Sequence, residues 1–383
     1  MANYICQMTN RIKVVHLSSA HPPDDTRIFY KECRTLAQAG YEVVLIIPHD
    51  RDEVVNGVRI RGMPKPTSRF VRMIGTVREV YRAALEENAI IYHFHDPELI
   101  PVGIMLKNKG KKVIYDVHED LPRQILTKPW IVPFLRRVVG VGAQTVENLC
   151  ARYFDRIITV TSTIADRFSE NKTTVVHNYP ILEEFEGPDF IPYQKRDPLV
   201  VYVGGITVIR GIKEMVKAVE LIPAEWGVRL ILAGKFSPPA LEDDVSAMAS
   251  WSNVEYLGWQ SRDEVADLLS KARIGLVLLH PTLNYMDAYP IKLFEYMAAG
   301  IPVVASDFPL WRKIVSDIGC GLLVDPLNPQ AIADAVQWLL AHPVEAELMG
   351  QRGQDAVINK YNWSTESQKL LGVYQSLVKL RVG

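Results

Sequence analysis

The chain has 383 residues, 48% of them hydrophobic and 23% charged, with a formal net charge of −1. At roughly 100–200 residues per domain that length accommodates two packed domains, and the balance excludes a disordered chain, a membrane-spanning one and a strongly basic nucleic-acid binder. Cys6, Cys33, Cys150 and Cys320 stand far apart, without metal-knuckle or CxxC spacing, and are read as reduced thiols.

The first residues, MANYICQMTNRIK, lack the apolar core and small-residue cleavage site of a secretory leader, and no apolar run reaches membrane-spanning length. A cytoplasmic location is therefore expected. From there, short runs rich in Val and Ile recur: KVVHLSS, VVLIIP, AIIYHF, KVIYDVH, RIITVT and TTVVHN, then LVVYVGG, VRLILAG, NVEYLG, IGLVLLHP, IPVVAS and GLLVD. Helical periodicity fills most gaps between them, as at 29–39, 262–271 and 329–340. Near-continuous apolar strands alternating with helices predict an α/β protein with parallel sheets covered on both faces. The polar, proline-bearing stretch 183–198 predicts a linker, which places one doubly wound domain at 1–190 and a second at 191–365. Such sheets bind ligands beyond the carboxyl ends of their strands, so substrates are expected in a cleft between the halves.

In the first half, Arg59, Arg61, Lys65, Arg69, Arg72, Arg78 and Arg82 share a stretch whose only acid is Glu79. Within it Phe70, Ile74, Val77, Tyr81 and Ala84 recur at helical spacing and predict a basic amphipathic helix. Its apolar stripe either packs on a sheet or meets anionic lipid or a lipid-linked acceptor. Lys107, Lys109, Lys111 and Lys112 form a second basic cluster. Asp96, followed by Pro97 and Glu98, reads as a helix N-cap or as an acceptor contact.

The second half opens with a strand, a Gly204-Gly205 turn, Arg210, Gly211 and a helix. Such a loop lets an anion approach the backbone, with the forked guanidinium of Arg210 matched to phosphate oxygens. Its spacing fits neither a dinucleotide fingerprint nor a P-loop, which argues against a nicotinamide-dependent dehydrogenase. The richest segment is 287–306, DAYPIKLFEYMAAGIPVVAS. Pro290 suits a helix start and Gly300 a left-handed helix end, before a buried strand. The amides and positive dipole end of that helix, with Lys292, suit a diphosphate; Glu295, one turn on, suits vicinal hydroxyls such as those of a ribose. Taken alone, the segment is equally a helix-start carboxylate, Asp287, with a surface Lys/Glu pair.

Together, YVGGITVIRGI, LILAGK, VEYLGW and the 287–306 segment resemble the donor-binding half of the retaining glycosyltransferases of family 4, which have the GT-B fold of two Rossmann-like domains. Asp287 and Glu295 match the eight-residue spacing of that family's E-x7-E signature, with Asp287 one methylene shorter than the usual Glu. In the first half, Asp25, Arg27, Leu36, Gly40, Tyr41 and Val43 match the family's D-x-R…L-x-x-x-G-Y-x-V start, and 93–96 its H-x-H-D segment.

The resemblance implies that Glu295 binds the ribose and that Asp287 and the backbone through Ala288, Tyr289, Ile291, Lys292 and Leu293 hold sugar and diphosphate. Arg210 matches a basic diphosphate clamp beside Gly204. Gly205 departs from the pattern, since many members carry a second basic residue there, and Lys292 is the expected substitute. Lys235 and Trp259 are expected near the pocket. His118, in YDVHED, matches the histidine that contacts the transferred sugar, with Asp116 on its strand face. Asp25, Arg27, Asp96 and Arg72 are the acceptor candidates; Asp25 and Arg27 either position an acceptor or pair with each other. The last residues, 366–383, are expected to form a helix packing back toward the first domain.

The expected activity is retaining transfer of a sugar from a UDP- or GDP-linked donor, with His118, Asp287, Arg210 and Lys292 at the reaction centre. No cofactor or metal is expected, because no D-x-D type motif stands in a suitable loop. A lipid-linked oligosaccharide acceptor, a peripheral place on the inner membrane face and no nucleic-acid partner complete the expectation. Two alternatives share the resemblance: a nucleotide-sugar epimerase of the same fold, and a non-catalytic partner in polysaccharide assembly.

Overall fold

Every Val/Ile-rich run becomes a strand. The computed structural model of the chain describes residues 11–65, 75–127, 131–185 and 191–379. The first sheet holds β1 (Lys13–Leu17), β2 (Glu42–Pro48), β3 (Glu53–Val55), β4 (Val58–Met63), β5 (Ile91–Phe94), β6 (Lys112–Val117), β7 (Arg156–Thr159) and β8 (Thr173–Val175), ordered β3-β4-β2-β1-β5-β6-β7-β8. The second holds β9 (Leu199–Val203), β10 (Arg229–Ala233), β11 (Val254–Gly258), β12 (Ile274–Val277), β13 (Val303–Ser306) and β14 (Gly321–Val324), ordered β11-β10-β9-β12-β13-β14. All neighbours run parallel except β3 against β4. The second order is the 3-2-1-4-5-6 arrangement of a dinucleotide-type sheet, whose switch point lies between β9 and β12.

Each sheet belongs to its own unit: Met1–Asn178 with Ser364–Gly383, and Tyr179–Trp363. The stretch 183–198, expected as a linker, falls within the second unit. Its Arg196 is buried and donates to the carbonyls of Ile191 and Ala272, which ties the segment to the sheet.

Period-two alternation assigns the faces. In the second unit Val200, Tyr202, Leu230 and Leu232 enter one core, while Val201, Ile231, Val277 and Val303 enter the other. In the first unit Val15, Leu17, Tyr92, Phe94, Val113 and Tyr115 fill one core. The alternate residues of those same strands include His16, His93 and Asp116, all fully buried. One face of this sheet is thus apolar and the centre of the other is ionisable.

Part of each basic cluster is paired by the fold. Arg59 and Arg61, on β4, pair with Glu87 and Glu86 at the end of the helix Val77–Glu87; Lys65 pairs with Asp50, and Lys107 and Lys112 with Asp155. The helix Val77–Glu87 buries Val80, Ala83 and Ala84, with Val77 and Tyr81 packed against the core, so the described part of the predicted stripe faces the sheet. Phe70 and Ile74, with Arg69 and the acceptor candidate Arg72, lie outside the described residues. Exposed apolar surface gathers instead on the helix Pro133–Ala151, at Phe134 (77%), Val138 (68%) and Val141 (63%). Among the described residues no helix is long and apolar enough to cross a membrane.

Candidate functional site

In the second unit, two glycines bring two cations together. Tyr296, on the helix Ile291–Ala298, lies against Gly275 of β12, where any Cβ would strike its ring at 2.3 Å, and its hydroxyl accepts the Val203 N–H at 3.0 Å. The start of that helix is thereby fixed beside the turn that follows β9, at the switch point of the sheet. Gly204 takes a φ of +122°, which side-chain-bearing residues rarely adopt. Lys292 Nζ and Arg210 Nη1 lie 3.2 and 3.8 Å from the place where a Gly204 Cβ would stand.

Both heads are held by neutral groups. Arg210 donates to the Gly205 carbonyl at 3.2 Å, which also accepts the Tyr202 hydroxyl at 2.8 Å, and Lys292 Nζ sits 4.0 Å from the centroid of the Tyr202 ring. Neither cation has an ion-pair partner among the described residues. Burial and then the charge of Arg210 pull the Lys292 ammonium well below its usual range. Burial pulls on Arg210 as well, but Tyr202 and Tyr285 outweigh it and raise its pKa. The arrangement is short of negative charge.

The other donor candidates surround this point unevenly. The first N–H groups of the helix, at Ile291 and Lys292, have no acceptor within the helix, as at any helix start. Those of Ala288 and Leu293 are already used, donating to Tyr285 and Pro290, and the Ala288 carbonyl accepts the Trp311 indole. Tyr289 turns its ring into a cluster with Tyr179 and Phe294. Asp287 is half-buried at the end of the short helix Leu283–Met286. Glu295 is 15% exposed, with Oε1 4.0 Å from Arg262 Nη2, and Arg262 is itself paired with Glu184. Arg262 escaped sequence reasoning, since it sits on a helix and its partner is 78 residues away. Lys235 and Trp259 are exposed just past the carboxyl ends of β10 and β11.

In the first unit, His118 follows β6 and is 14% exposed. Its Nε2 lies 3.1 Å from Asp116 Oδ2 and 3.1 Å from His95 Nδ1. A carboxylate only accepts, so His118 carries its proton on Nε2, and in the neutral ring Nδ1 is left as an acceptor. Burial resists the charge of Asp116, yet Arg27 and His118 hold its carboxyl well below the usual range.

Three acceptor candidates are engaged in contacts within the first unit. Asp25 caps a helix, accepting from the N–H groups of Arg27 and Ile28 at 2.9 and 2.8 Å. Arg27 is buried and grips Asp116, not Asp25, through Nε and Nη2 at 3.2 and 3.1 Å. Asp96 makes no N-cap bond with its side chain. It accepts instead from Ser18 Oγ (2.8 Å) and Ser19 N (2.7 Å) and pairs with His21 Nδ1 at 3.2 Å, fastening the loop after β1. Burial opposes the charge on His21, but Asp96 overrides it and raises that pKa to about 9. His21 is therefore a cation beside His118, their ring centroids 5.4 Å apart, and sequence reading had missed it.

Residues 26–179 match the family model Glycosyltransferase Family 4, and residues 197–342 match Glycosyl transferases group 1. Alpha-D-kanosaminyltransferase of Streptomyces kanamyceticus is 27% identical over 182 residues, 47% of this chain and 46% of that protein. The chain thus spans about half the length of the first curated relatives it matches. Among solved structures, sucrose-phosphate synthase from Thermosynechococcus elongatus aligns with a TM-score of 0.77 at 20% identity, over 97% of this chain and all of that one. Anabaena HepE in complex with UDP-glucose aligns with a TM-score of 0.73 at 13% identity, over 96% and 100%. These likenesses establish the GT-B fold.

Proposed function

The chain belongs to glycosyltransferase family 4, and from that premise we propose that it transfers a sugar from a nucleoside-diphosphate sugar to an acceptor hydroxyl with retention of configuration. One observation carries the reading: Arg210 and Lys292 converge at the Gly204–Gly205 turn, with no ion-pair partner among the described residues, at the switch point of a dinucleotide-type sheet. A diphosphate is the ligand whose charge and shape suit that arrangement.

Breaking the bond from the anomeric carbon to the diphosphate builds negative charge on the departing oxygen. Arg210, Lys292 and the Ile291 and Lys292 amides stabilise that charge where it develops, which lowers the barrier without a bound metal. The departing phosphate takes the acceptor proton on the same face. Glu295 holds the ribose and Asp287 the sugar, while His118, its proton held on Nε2 by Asp116, meets the transferred sugar. UDP-glucose bound to a structural neighbour makes a UDP-sugar the first donor to test. The exposed apolar face of the helix Pro133–Ala151 favours an amphiphilic, lipid-linked acceptor at a membrane surface.

The test is release of nucleoside diphosphate from UDP-, GDP- and ADP-sugars, with and without a polyprenyl-linked acceptor, followed by chromatography. Turnover of one donor that is lost in Glu295→Ala supports the reading. Binding without any turnover would favour a non-catalytic role.

A further inference from the structure

The buried polar face of the first sheet contains an arrangement whose hydrogen bonds leave Glu32 and one nitrogen of His93 without partners. His16 and His93 are register partners on β1 and β5, and His95 follows on the same face. Glu32 comes down on them from the helix Thr26–Cys33, whose turns are widened to i→i+5 bonding. All four side chains are inaccessible to solvent.

Glu32 Oε2 stands 3.9 Å from His16 Nδ1, 3.9 Å from His93 Nδ1 and 4.0 Å from His95 Nε2. Those separations are too long for hydrogen bonds, and neither Oε2 of Glu32 nor Nε2 of His93 has a hydrogen-bond partner. His16 Nδ1 and His95 Nε2 are 3.0 Å apart. In a tetrahedral zinc site with bonds of about 2.1 Å, the ligand atoms stand about 3.4 Å from one another, within this spread.

Charge points the same way. Among the described residues Arg27 is the one guanidinium in contact with both Glu32 (3.0 Å) and Asp116 (3.1 Å), which leaves two buried carboxylates against one fixed cation there. A positive charge is missing, and a buried carboxylate without one is costly. One remaining nitrogen is braced as in ligand histidines: the Tyr374 hydroxyl lies 3.0 Å from His16 Nε2 and can accept its proton.

We propose that His16, Glu32, His93 and His95 form a closed site for a divalent transition-metal ion, zinc foremost, which clamps the helix Thr26–Cys33 to β1 and β5. Three imidazoles and a carboxylate with no open position make it a structural site, separate from transfer chemistry at the donor phosphates. The competing occupant is a proton on Glu32.

The full chain, made without a polyhistidine tag, is refolded from denaturant with zinc or cobalt(II), desalted and measured by elemental analysis and visible absorption. Stoichiometric zinc, intense tetrahedral cobalt bands and a higher melting midpoint than the metal-free protein are expected. Glu32→Gln is expected to bind at least about tenfold more weakly, and His16→Gln with His93→Gln to abolish loading. Substoichiometric zinc in folded wild type, the pale spectrum of octahedral cobalt, or variants that load like wild type would overturn the proposal. The cobalt spectrum of the wild type decides the matter if the variants fail to fold.

Discussion

Arg210 Nη1 lies 3.1 Å from the point where a Cβ on Gly205 would project, so a side chain there would push the guanidinium aside by a few tenths of an ångström. A residue that looks like a missing cation in the sequence here leaves room beside another. Gly205→Ala is expected to displace the guanidinium and weaken nucleotide binding by about 1–2 kcal/mol, while the melting midpoint changes little. Titration calorimetry and a thermal melt on the same preparation measure both. Unchanged affinity would mean that Arg210 does not contact the ligand.

Lys292 should make nucleotide binding depend on pH. Its ammonium titrates well below its usual range in the empty site, and an anion beside it restores the proton. Between the lowered pKa and the ordinary value near 10.4, binding therefore takes up a proton and affinity falls as pH rises. Calorimetry in buffers of different ionisation enthalpy reads that uptake directly, and Lys292→Arg should remove it.

His21 offers a test of the first unit. Its pKa of about 9 lies above the unfolded value near 6.5. The stabilisation from its pairing with Asp96 is complete below the unfolded value and is lost as pH climbs through about 9. Imidazole carbon shifts in NMR should show one histidine titrating near that value. Asp96→Asn should return it toward the ordinary range and flatten the fall in melting midpoint across the same window.

Asp116→Ala removes the carboxylate that Arg27 grips through Nε and Nη2 and leaves Glu32, 3.0 Å away, to face the buried guanidinium, so the loss is that of charge-assisted hydrogen bonds, about 1.5–3 kcal/mol. A drop in melting midpoint is expected. Asp116→Asn should lose less stability, yet it should release the tautomer of His118, visible in nitrogen chemical shifts.

A membrane role for the helix Pro133–Ala151 is tested by sedimentation with vesicles of phosphatidylglycerol or phosphatidylcholine. Replacing Phe134 and Val138 by Glu is expected to abolish binding to the anionic vesicles while leaving the fold intact, because both side chains are exposed.

Strands that are apolar throughout announce themselves, which is why β1, β2 and β5 to β14 are legible as Val/Ile-rich runs. The hairpin of β3 and β4 is not, because Arg59 and Arg61 interrupt VRIRGM and its partner strand has three residues. Charge clusters mislead for a related reason. Arg59 finds Glu87 at a separation of 28 residues, and Asp96 finds Ser18 at 78, pairings that only the fold creates. The donor segment was legible as one helix joined to one strand, since Lys292 and Glu295 are near in sequence. Its meeting with Arg210 depends on β9 lying beside β12. The sequence shows His93 only within an H-x-H-D segment, and its meeting with His16 depends on the register of β1 against β5.

The measurement that bears most directly on the central claim is calorimetric titration of UDP, GDP and ADP, with no divalent metal added, into the wild type and into Arg210→Ala combined with Lys292→Ala. The account predicts that one nucleotide binds the wild type and that the double variant, still folded, loses about 1.5–3 kcal/mol for each charge-assisted contact removed. If no nucleotide binds folded wild type, or the double variant binds as tightly, the two cations at the Gly204–Gly205 turn are not a diphosphate site.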